Sequence, residues 1–210
     1  MDKEKLVEAL KQCRLVPVIV VEKAEEILPL GEALVKGGLP VAEVTFRSPA
    51  AADAIRLLKK EMPEVLLGAG TVLTKEQIDT AADAGAAFIV SPGFNPVNVK
   101  YAMDKGQIMV PGINSPSEAE QAMAMGLDVL KFFPAENAGG VGMLKAMNAV
   151  YPNLRIMPTG GINPGNVNDY LALPNVIACG GSWMCKKDLI SAGEFDKIEA
   201  LVKEALAALN

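Results

Sequence analysis

The feature of this sequence that most constrains its fold is a regular alternation of short β-branched runs with longer amphipathic stretches. About eight such pairs follow one another at roughly 25-residue spacing, and no linker or low-complexity segment separates them. The candidate strands cover 16–21, 41–46, 65–70, 87–92, 107–112, 128–133, 155–160 and 176–181. This pattern predicts one α/β domain over residues 1–210, in which parallel strands are joined by helices.

The stretches between the strands carry helix signals. The candidate helices cover 24–36, 50–61, 75–84, 95–105, 117–125, 142–150, 164–171 and 195–209. A further charged, helix-like segment, 1–11, precedes the first strand. Thr74 before Lys75-Glu76-Gln77 forms a capping box, and Ser115-Pro116 is typical of a helix start. Four glycines are predicted to end helices, namely Gly37, Gly85, Gly106 and Gly126.

Two architectures are compatible with this order of elements. One is a closed (β/α)₈ TIM barrel with an extra N-terminal helix, for which this chain is close to the lower length limit of ~200 residues. The other is an open doubly wound sheet. Polar or glycine-rich residues mark the ends of most candidate strands. A barrel gathers such residues around one mouth, whereas an open sheet spreads them along a line, so we expect the barrel.

Composition restricts the possible partners and the cellular location. The net charge is −5 and the pI is about 4.9, so binding to nucleic acid or to an anionic membrane is not expected. No apolar run approaches the ~20 residues of a membrane span, and a cytoplasmic protein is the simplest expectation. The cysteines, Cys13, Cys179 and Cys185, form no CxxC pair and are predicted to be reduced thiols.

The absence of histidine constrains the chemistry more than any residue that is present. The chain contains no histidine, which excludes Ser-His-Asp and Cys-His catalysis and the usual histidine-bearing catalytic zinc sites. Proton transfer must then fall to a carboxylate, lysine, tyrosine or water. We expect neither a metal nor an organic cofactor, since no acidic cluster suggests a magnesium site.

Lys131 is the strongest candidate for a catalytic group, because it lies inside the apolar run Asp128-Val-Leu-Lys-Phe-Phe-Pro134. Desolvation disfavours a charged ammonium, and a neutral amine is a nucleophile that can form a Schiff base with a carbonyl. Two alternatives remain open. The lysine could extend its ammonium group to solvent at the strand end, or it could pair with a buried carboxylate for structural reasons.

Glu43 and Arg47 are predicted to share one face of the second strand, in Val41-Ala-Glu-Val-Thr-Phe-Arg47. A carboxylate in an apolar strand is costly unless it is paired or functional, so an inward-pointing Glu43 could meet Lys131. Their contact could equally be a structural ion pair. The planar fork of Arg47 suits a carboxylate or a phosphate, and its alternative is an ordinary surface arginine.

Glycine-rich turns follow several of the other strands. Gly68-Ala-Gly-Thr71 and Ser91-Pro-Gly93 permit close backbone approach, although plain turns would have similar sequences. Thr159-Gly-Gly161 and Gly180-Gly-Ser182 close the seventh and eighth strands. These are the two positions at which barrels often bind phosphate through backbone N–H groups. Tight packing turns are the alternative interpretation of both.

Together these segments closely resemble the 2-keto-3-deoxy-6-phosphogluconate and 4-hydroxy-2-oxoglutarate aldolases, over essentially the whole chain. The motifs that carry the resemblance are Pro17-Val-Ile-Val20, Glu43-Val-Thr-Phe-Arg47, Gly68-Ala-Gly-Thr-Val72, Ser91-Pro-Gly93, Lys131-Phe-Phe-Pro-Ala-Glu136, Pro158-Thr-Gly-Gly-Ile162 and Gly180-Gly-Ser-Trp183. The resemblance implies a class I aldolase of barrel fold, usually a homotrimer, that acts in the Entner–Doudoroff pathway without a cofactor.

The resemblance also implies roles for individual residues. Lys131 would form the Schiff base and Glu43 would shuttle protons. Arg47 and Thr71 would hold the pyruvate-like carboxylate of the substrate, and Pro92 and Phe133 would shape the pocket. The phosphate would be bound by Gly160, Gly161 and Ser182. Thr159 matches a position linked to stereochemical choice at the cleaved bond. Some members carry an arginine after the first strand, where this chain reads Val20-Val21-Glu22, so phosphate binding would rest more on backbone donors.

Two other functions fit part of the pattern. A sugar-phosphate isomerase or epimerase would explain the two Gly-Gly turns but not a lysine in a phenylalanine-rich strand. A non-catalytic barrel that binds a phosphorylated metabolite and regulates a partner would show saturable ligand binding with no turnover and no trapped adduct. The sequence also leaves open which 2-keto-4-hydroxy acid is preferred.

Overall fold

Short parallel strands and the helices between them alternate along the whole chain. The computed structural model describes residues 1–210. The strands are β1 (Leu15–Ile19), β2 (Val41–Thr45), β3 (Leu66–Gly70), β4 (Phe88–Val90), β5 (Met109–Val110), β6 (Gly112–Ile113), β7 (Val129–Phe132), β8 (Arg155–Pro158) and β9 (Cys179–Gly181). Each candidate strand of the sequence contains or overlaps at least one of them, so the predicted α/β class is confirmed.

The helices follow the predicted order. They are α1 (Lys3–Cys13), α2 (Ile27–Gly37), α3 (Ala51–Glu61), α4 (Lys75–Asp83), α5 (Pro96–Asp104), α6 (Pro116–Ala124), α7 (Gly140–Val150), α8 (Val167–Leu171), α9 (Lys187–Ser191) and α10 (Phe195–Ala207). A 3₁₀ turn, Ala24–Glu26, precedes α2. The short helix α9 was not among the sequence candidates. Thr74 and Ser115 cap α4 and α6 through their side chains, as predicted.

All strand pairs are parallel and form a curled sheet in two segments. One segment has the order β5-β4-β3-β2-β1-β9 and the other has the order β6-β7-β8. Two isolated parallel bridges connect β8 with β9. Ile156 of β8 pairs with Val176, which precedes β9, and Thr159, which follows β8, pairs with Gly180 of β9. The carboxyl ends of the strands therefore lie on one side of the sheet, where sites in α/β proteins usually form.

The fifth candidate strand is divided at Pro111. Before it β5 pairs with β4, and after it β6 pairs with β7. Proline has no N–H to donate, which interrupts a strand ladder at that residue. Its carbonyl still accepts a hydrogen bond from the backbone N–H of Lys131 at 2.9 Å. The interruption therefore fixes the position of Lys131 relative to the neighbouring strand.

Helix α1 is joined by ion pairs to residues at the amino-terminal ends of β7 and β8. Its buried face consists of Leu6, Val7 and Leu10. At its start, Lys3 contacts Asp128 at 2.7 Å. Glu4 contacts Arg155 at 2.6 Å on the same side. This leaves the opposite, carboxyl-terminal side of the strands free of the helix.

One predicted helix end was wrong by a residue. Gly38, at φ +93°, is the left-handed cap of α2, while Gly37 is still helical. A Cβ on Gly37 would lie 2.6 Å from Cγ1 of Val202 in α10, so Gly37 is required for close helix packing. Gly85, Gly106 and Gly126 all have positive φ, as expected of glycines that end helices.

Candidate active site

Lys131 and Glu43 meet in the interior of the curled sheet. The Lys131 Nζ donates a hydrogen bond to Glu43 Oε1 at 3.1 Å. Lys131 is 5% exposed and Glu43 is 0% exposed. They lie on β7 and β2, which are not neighbours in either sheet segment, so both side chains point into the space that the strands enclose. The sequence prediction that they could meet is confirmed.

The surroundings of this pair are apolar on the lysine side and incompletely satisfied on the carboxylate side. The Lys131 Nζ lies 5.5 Å from the centre of the Phe133 ring. Glu43 Oε2 is buried and has no hydrogen-bond partner. Buried polar atoms without partners are rare and often occur at functional sites. The second carboxylate oxygen is therefore available to accept or deliver a proton beside the amine.

Gly70 makes room for the Glu43 carboxylate. A Cβ at this position would lie 2.3 Å from Glu43 Oε1 and 2.9 Å from its Cδ. Gly68, on the same strand, similarly makes room for the ring of Phe88, which would lie 2.3 Å from an added Cβ. The sequence suggested close backbone approach at these glycines. The structure shows that they accommodate neighbouring side chains, and that Gly70 sets the position of the carboxylate.

Gly70→Ala is therefore expected to displace the carboxylate and lower kcat about ten- to a hundredfold, because misplacing a reacting group by about 1 Å costs up to ~10² in rate. The measurement is the steady-state rate of the pyruvate release that the sequence resemblance implies. The matched control is Gly142→Ala in α7, where an added Cβ meets nothing within 4 Å. Unchanged kcat in Gly70→Ala would show that the carboxylate position does not limit the reaction.

Thr71 directly follows Gly70 and adopts a strained backbone conformation. Its φ is +57°, in the left-handed region that β-branched residues avoid. Such strain persists only where the surrounding structure imposes it, and it is common at ligand sites. Nearby, the buried Thr45 donates a hydrogen bond from Oγ1 to the carbonyl of Ile19 at 2.7 Å, which ties β2 to β1. Neither feature was predicted from the sequence.

Arg47 and Pro92 lie at the carboxyl ends of their strands. Arg47 is exposed, and no carboxylate lies within salt-bridge distance of it. A Cβ on Gly112 would lie 2.1 Å from the carbonyl oxygen of Pro92. Gly112 is also the register partner of Lys131. The backbone of Pro92 therefore packs beside the strand position opposite the lysine.

The Gly160-Gly161 turn after β8 and the end of β9 line one small cavity of about 80 Å³. Its lining residues are Val18, Thr159, Gly160, Gly161, Ile162, Gly180, Gly181 and Ser182. Gly180 and Gly181, predicted to form a turn, belong to β9 itself. Gly160 and Gly161 have φ values of +102° and +81°. Thr159 is buried and its Oγ1 has no hydrogen-bond partner. The predicted residues Thr159, Gly160, Gly161 and Ser182 are thus brought together.

The strand register places this cavity beside the buried Lys131–Glu43 pair. Val18 lies on β1 opposite Glu43 on β2. A cluster of backbone N–H groups in such a turn favours a small anion. The structure therefore places an amine, a carboxylate and a candidate anion site on the same side of the sheet.

Other features of the chain offer no comparable chemistry. A cavity of about 600 Å³ lies at the amino-terminal ends of the strands and contains none of the predicted site residues. Burial raises the pKa of Cys179 and of Cys185 to about 12, so both remain protonated thiols. No group of three or more metal-ligating side chains lies together. None of the helices combines the length and the apolar character needed to cross a bilayer.

Comparison with protein-family models gives a match over most of the chain. The family model described as KDPG and KHG aldolase matches residues 6–201. KDPG is 2-keto-3-deoxy-6-phosphogluconate and KHG is 4-hydroxy-2-oxoglutarate. A 2-dehydro-3-deoxy-phosphogluconate aldolase of Haemophilus influenzae is 51% identical over 203 residues, which cover 97% of this chain and 96% of that protein.

Two solved structures are also similar over nearly their whole length. The KDPG aldolase of Legionella pneumophila, with pyruvate captured at low pH as a covalent carbinolamine intermediate, is 40% identical and has a TM-score of 0.92. The alignment covers 95% of this chain and 97% of that one. The 2-keto-3-deoxy-6-phosphogluconate aldolase of Zymomonas mobilis with 3-phosphoglycerate is 40% identical and has a TM-score of 0.86. That alignment covers 97% of this chain and 98% of the other.

Proposed function

Since this chain belongs to the family of KDPG and KHG aldolases, we propose that Lys131 and Glu43 carry out a class I aldol cleavage. The enzyme is a carbon–carbon lyase that cleaves KDPG to pyruvate and D-glyceraldehyde 3-phosphate, and KHG to pyruvate and glyoxylate. The observation that carries the residue assignment is the buried contact of 3.1 Å between Lys131 Nζ and Glu43 Oε1. It provides an amine and a proton acceptor in one water-poor site.

The first step is formation of the imine. Glu43 accepts a proton from the Lys131 ammonium, and the neutral amine adds to the C2 ketone of the substrate. Glu43 then returns this proton to the hydroxyl of the carbinolamine, which leaves as water. The protonated imine that remains acts as an electron sink, and Glu43 is again a carboxylate. The pyruvate carbinolamine captured in the Legionella pneumophila enzyme supports a carbinolamine as an intermediate. The two interpretations of the pair, structural and catalytic, are thus compatible, because the ion pair stores the proton that the reaction moves.

The second step is cleavage. Glu43 removes the proton of the C4 hydroxyl, the C3–C4 bond breaks, and the aldehyde product leaves. The electron pair of the broken C3–C4 bond moves toward the imine and forms an enamine on Lys131. Glu43 then returns a proton to C3, and water hydrolyses the imine to release pyruvate. One carboxylate can serve as base and then as acid, because each step leaves it in the form that the next step requires.

Substrate binding is divided between the two ends of the site. Arg47 and Thr71 hold the carboxylate of the pyruvate half, which is supported by the unpaired guanidinium and by the strained backbone of Thr71. Pro92 and Phe133 shape the pocket around the reacting carbons. Thr159, beside the cavity, contributes to the choice of configuration at the cleaved bond.

The phosphate is held by backbone N–H groups of Gly160 and Gly161 together with Ser182, in the cavity after β8 and β9. The absence of an arginine after β1 is consistent with this reliance on the backbone. Glu22 occupies that region and forms a salt bridge with Lys187 of α9. The 3-phosphoglycerate in the Zymomonas mobilis structure supports binding of a phosphorylated compound.

The architecture that best accommodates these roles is a closed (β/α)₈ barrel in which β5 and β6 form one interrupted strand and α1 is an added N-terminal helix. The bridge Thr159↔Gly180 and the change of strand partner at Pro111 support closure at both junctions between the sheet segments. Closure would gather Lys131, Glu43 and the glycine turns around one mouth.

We extend the proposal to the enzyme's assembly and setting. The resemblance to the family supports a cytoplasmic homotrimer that acts in the Entner–Doudoroff pathway. Exposed apolar side chains, including Leu73 and Val97 at the carboxyl side of the strands, are suited to a subunit interface. Light scattering after size exclusion should give a mass of about three chains. The mass of a single chain would contradict the trimer.

Substrate preference is tested by a pyruvate-release assay that compares the gluconate-derived substrate, its galactonate-derived epimer and KHG. We expect release from KDPG and from KHG, and weaker release from the epimer because Thr159 discriminates the configuration at C4. Equal rates for the two epimers would remove Thr159 from that role. No pyruvate from any of the substrates would contradict the aldolase function.

A further inference from the structure

One part-buried contact outside the Lys131–Glu43 pair joins α8 to the loop after β7, beside the glycine turn after β8. Tyr170 of α8 is fully buried, and its hydroxyl donates a hydrogen bond to Oε1 of Glu136. Glu136 belongs to the loop that follows the strand carrying Lys131. The proposed mechanism uses neither side chain, and neither is placed in contact with substrate.

Glu136 packs against the Gly160-Gly161 turn. A Cβ on Gly161 would lie 2.5 Å from Cγ and 2.7 Å from Cβ of Glu136, so the stem of the glutamate packs directly against this glycine. The backbone N–H of Glu136 also donates to the carbonyl of Gly160 at 3.1 Å, and that of Ala135 donates to Thr159 at 2.8 Å. The turn therefore rests on Glu136 through both its main chain and its side chain.

Tyr170 fixes the direction of the Glu136 carboxylate. A Cβ on Gly140 would lie 3.2 Å from the Tyr170 hydroxyl and 3.3 Å from Glu136 Oε1, so these two groups fill the space above that glycine. Burial, together with the neighbouring carboxylate, raises the pKa of Tyr170, so its hydroxyl remains a hydrogen-bond donor. A hydrogen bond to an ionised acceptor is stronger than a neutral one.

The direction matters because the carboxylate is close to a candidate anion site. A carboxylate that swung toward the Gly160-Gly161 turn would repel a phosphate dianion there, since like charges destabilise each other at short range. A carboxylate held against Tyr170 leaves the backbone N–H groups of the turn free for the phosphate. The contact between Tyr170 and Glu136 thus has two effects. It supports the turn, and it keeps the negative charge of the carboxylate away from the turn.

We infer that Glu136 and Tyr170 form a positioning pair that sets the Gly160-Gly161 turn for phosphate, and thereby determines the preference for phosphorylated over phosphate-free substrates. The inference rests on the proposed phosphate site. It predicts that the pair acts on KM for phosphorylated substrate and leaves imine and enamine formation at Lys131 unaffected.

The test compares a phosphate-dependent with a phosphate-independent reaction in the full-length protein. Tyr170→Phe should raise KM for KDPG about five- to tenfold, the factor expected from loss of one hydrogen bond. Exchange of pyruvate methyl protons requires no phosphate and should stay within about twofold of the unsubstituted protein. Glu136→Ala should have the same effect on KM, and Glu136→Gln, which keeps the stem and an acceptor oxygen, a smaller one.

The matched control is Tyr151→Phe, which removes another hydroxyl that donates to a glutamate, Glu120, at 2.9 Å on the exposed surface. It should change neither quantity. Unchanged KM in both Tyr170→Phe and Glu136→Ala would overturn the inference, and so would equal losses of cleavage and exchange, which would make the pair merely structural. If Tyr170→Phe does not fold, the two variants at the exposed Glu136 decide the outcome alone.

The failure of the underlying function has a different signature. Absence of methyl-proton exchange in the unsubstituted protein would contradict the Schiff-base chemistry itself, and the inference would fall with it. Normal exchange together with unchanged KM in the variants would overturn only the positioning role.

Discussion

Lys131→Met is expected to lower kcat/KM for KDPG cleavage by at least about 10⁴-fold, because it removes the amine on which the covalent route depends. The substitution also leaves Glu43, which is 0% exposed, without its partner. An uncompensated buried charge destabilises the fold by about 3–5 kcal/mol. The measurements are pyruvate release and the free energy of unfolding in urea.

The double variant Lys131→Met/Glu43→Gln separates these two effects. Neutralising the carboxylate removes the buried charge, so we expect most of the lost stability to return while activity remains absent. Pyruvate release by either variant at more than about 1% of the unsubstituted rate would show that a different group attacks the ketone. Equal stability of the single variant and the unsubstituted protein would contradict the ion pair.

Glu43→Gln should have the second largest effect. Loss of a general acid–base group typically costs about 10²–10⁴ in rate. The amide oxygen can still accept the hydrogen bond of Lys131, so pyruvate binding should persist. The amide cannot take up the proton, so exchange of the pyruvate methyl protons should fall by that factor. The measurement is deuterium incorporation into pyruvate, followed by NMR.

The matched control for this substitution is Glu32→Gln. Glu32 forms a similar pair with Lys36, at 3.2 Å, but on the exposed surface of α2. Its exchange rate should equal that of the unsubstituted protein. Undiminished exchange in Glu43→Gln would remove Glu43 from the proton-transfer role, and the proton acceptor would then have to be sought elsewhere in the pocket.

Much of the fold was predictable because its signals are local. Strand and helix periodicity, the capping side chains of Thr74 and Ser115 and the glycines that end helices each depend on a few consecutive residues. The meeting of Lys131 and Glu43 was predictable for a different reason. Neither residue could be buried in an apolar strand without a partner of opposite charge.

The features that the sequence did not reveal depend on residues far apart in the chain. Gly37 was assigned as a helix end, although it is needed for contact with α10. The role of Gly70 depends on the position of a side chain on the neighbouring strand, and the contact of Tyr170 with Glu136 joins helix α8 to the loop after β7. Pattern and spacing carry no information about such contacts, which exist only once the strands are assembled.

The measurement that tests the central claim most directly is borohydride reduction of the enzyme in the presence of pyruvate, followed by peptide mass spectrometry. We expect one stable adduct, located on Lys131, and none in Lys131→Met. A known Schiff-base aldolase treated in parallel controls for the reduction. An unmodified Lys131, or an adduct on another lysine, would contradict the proposed chemistry.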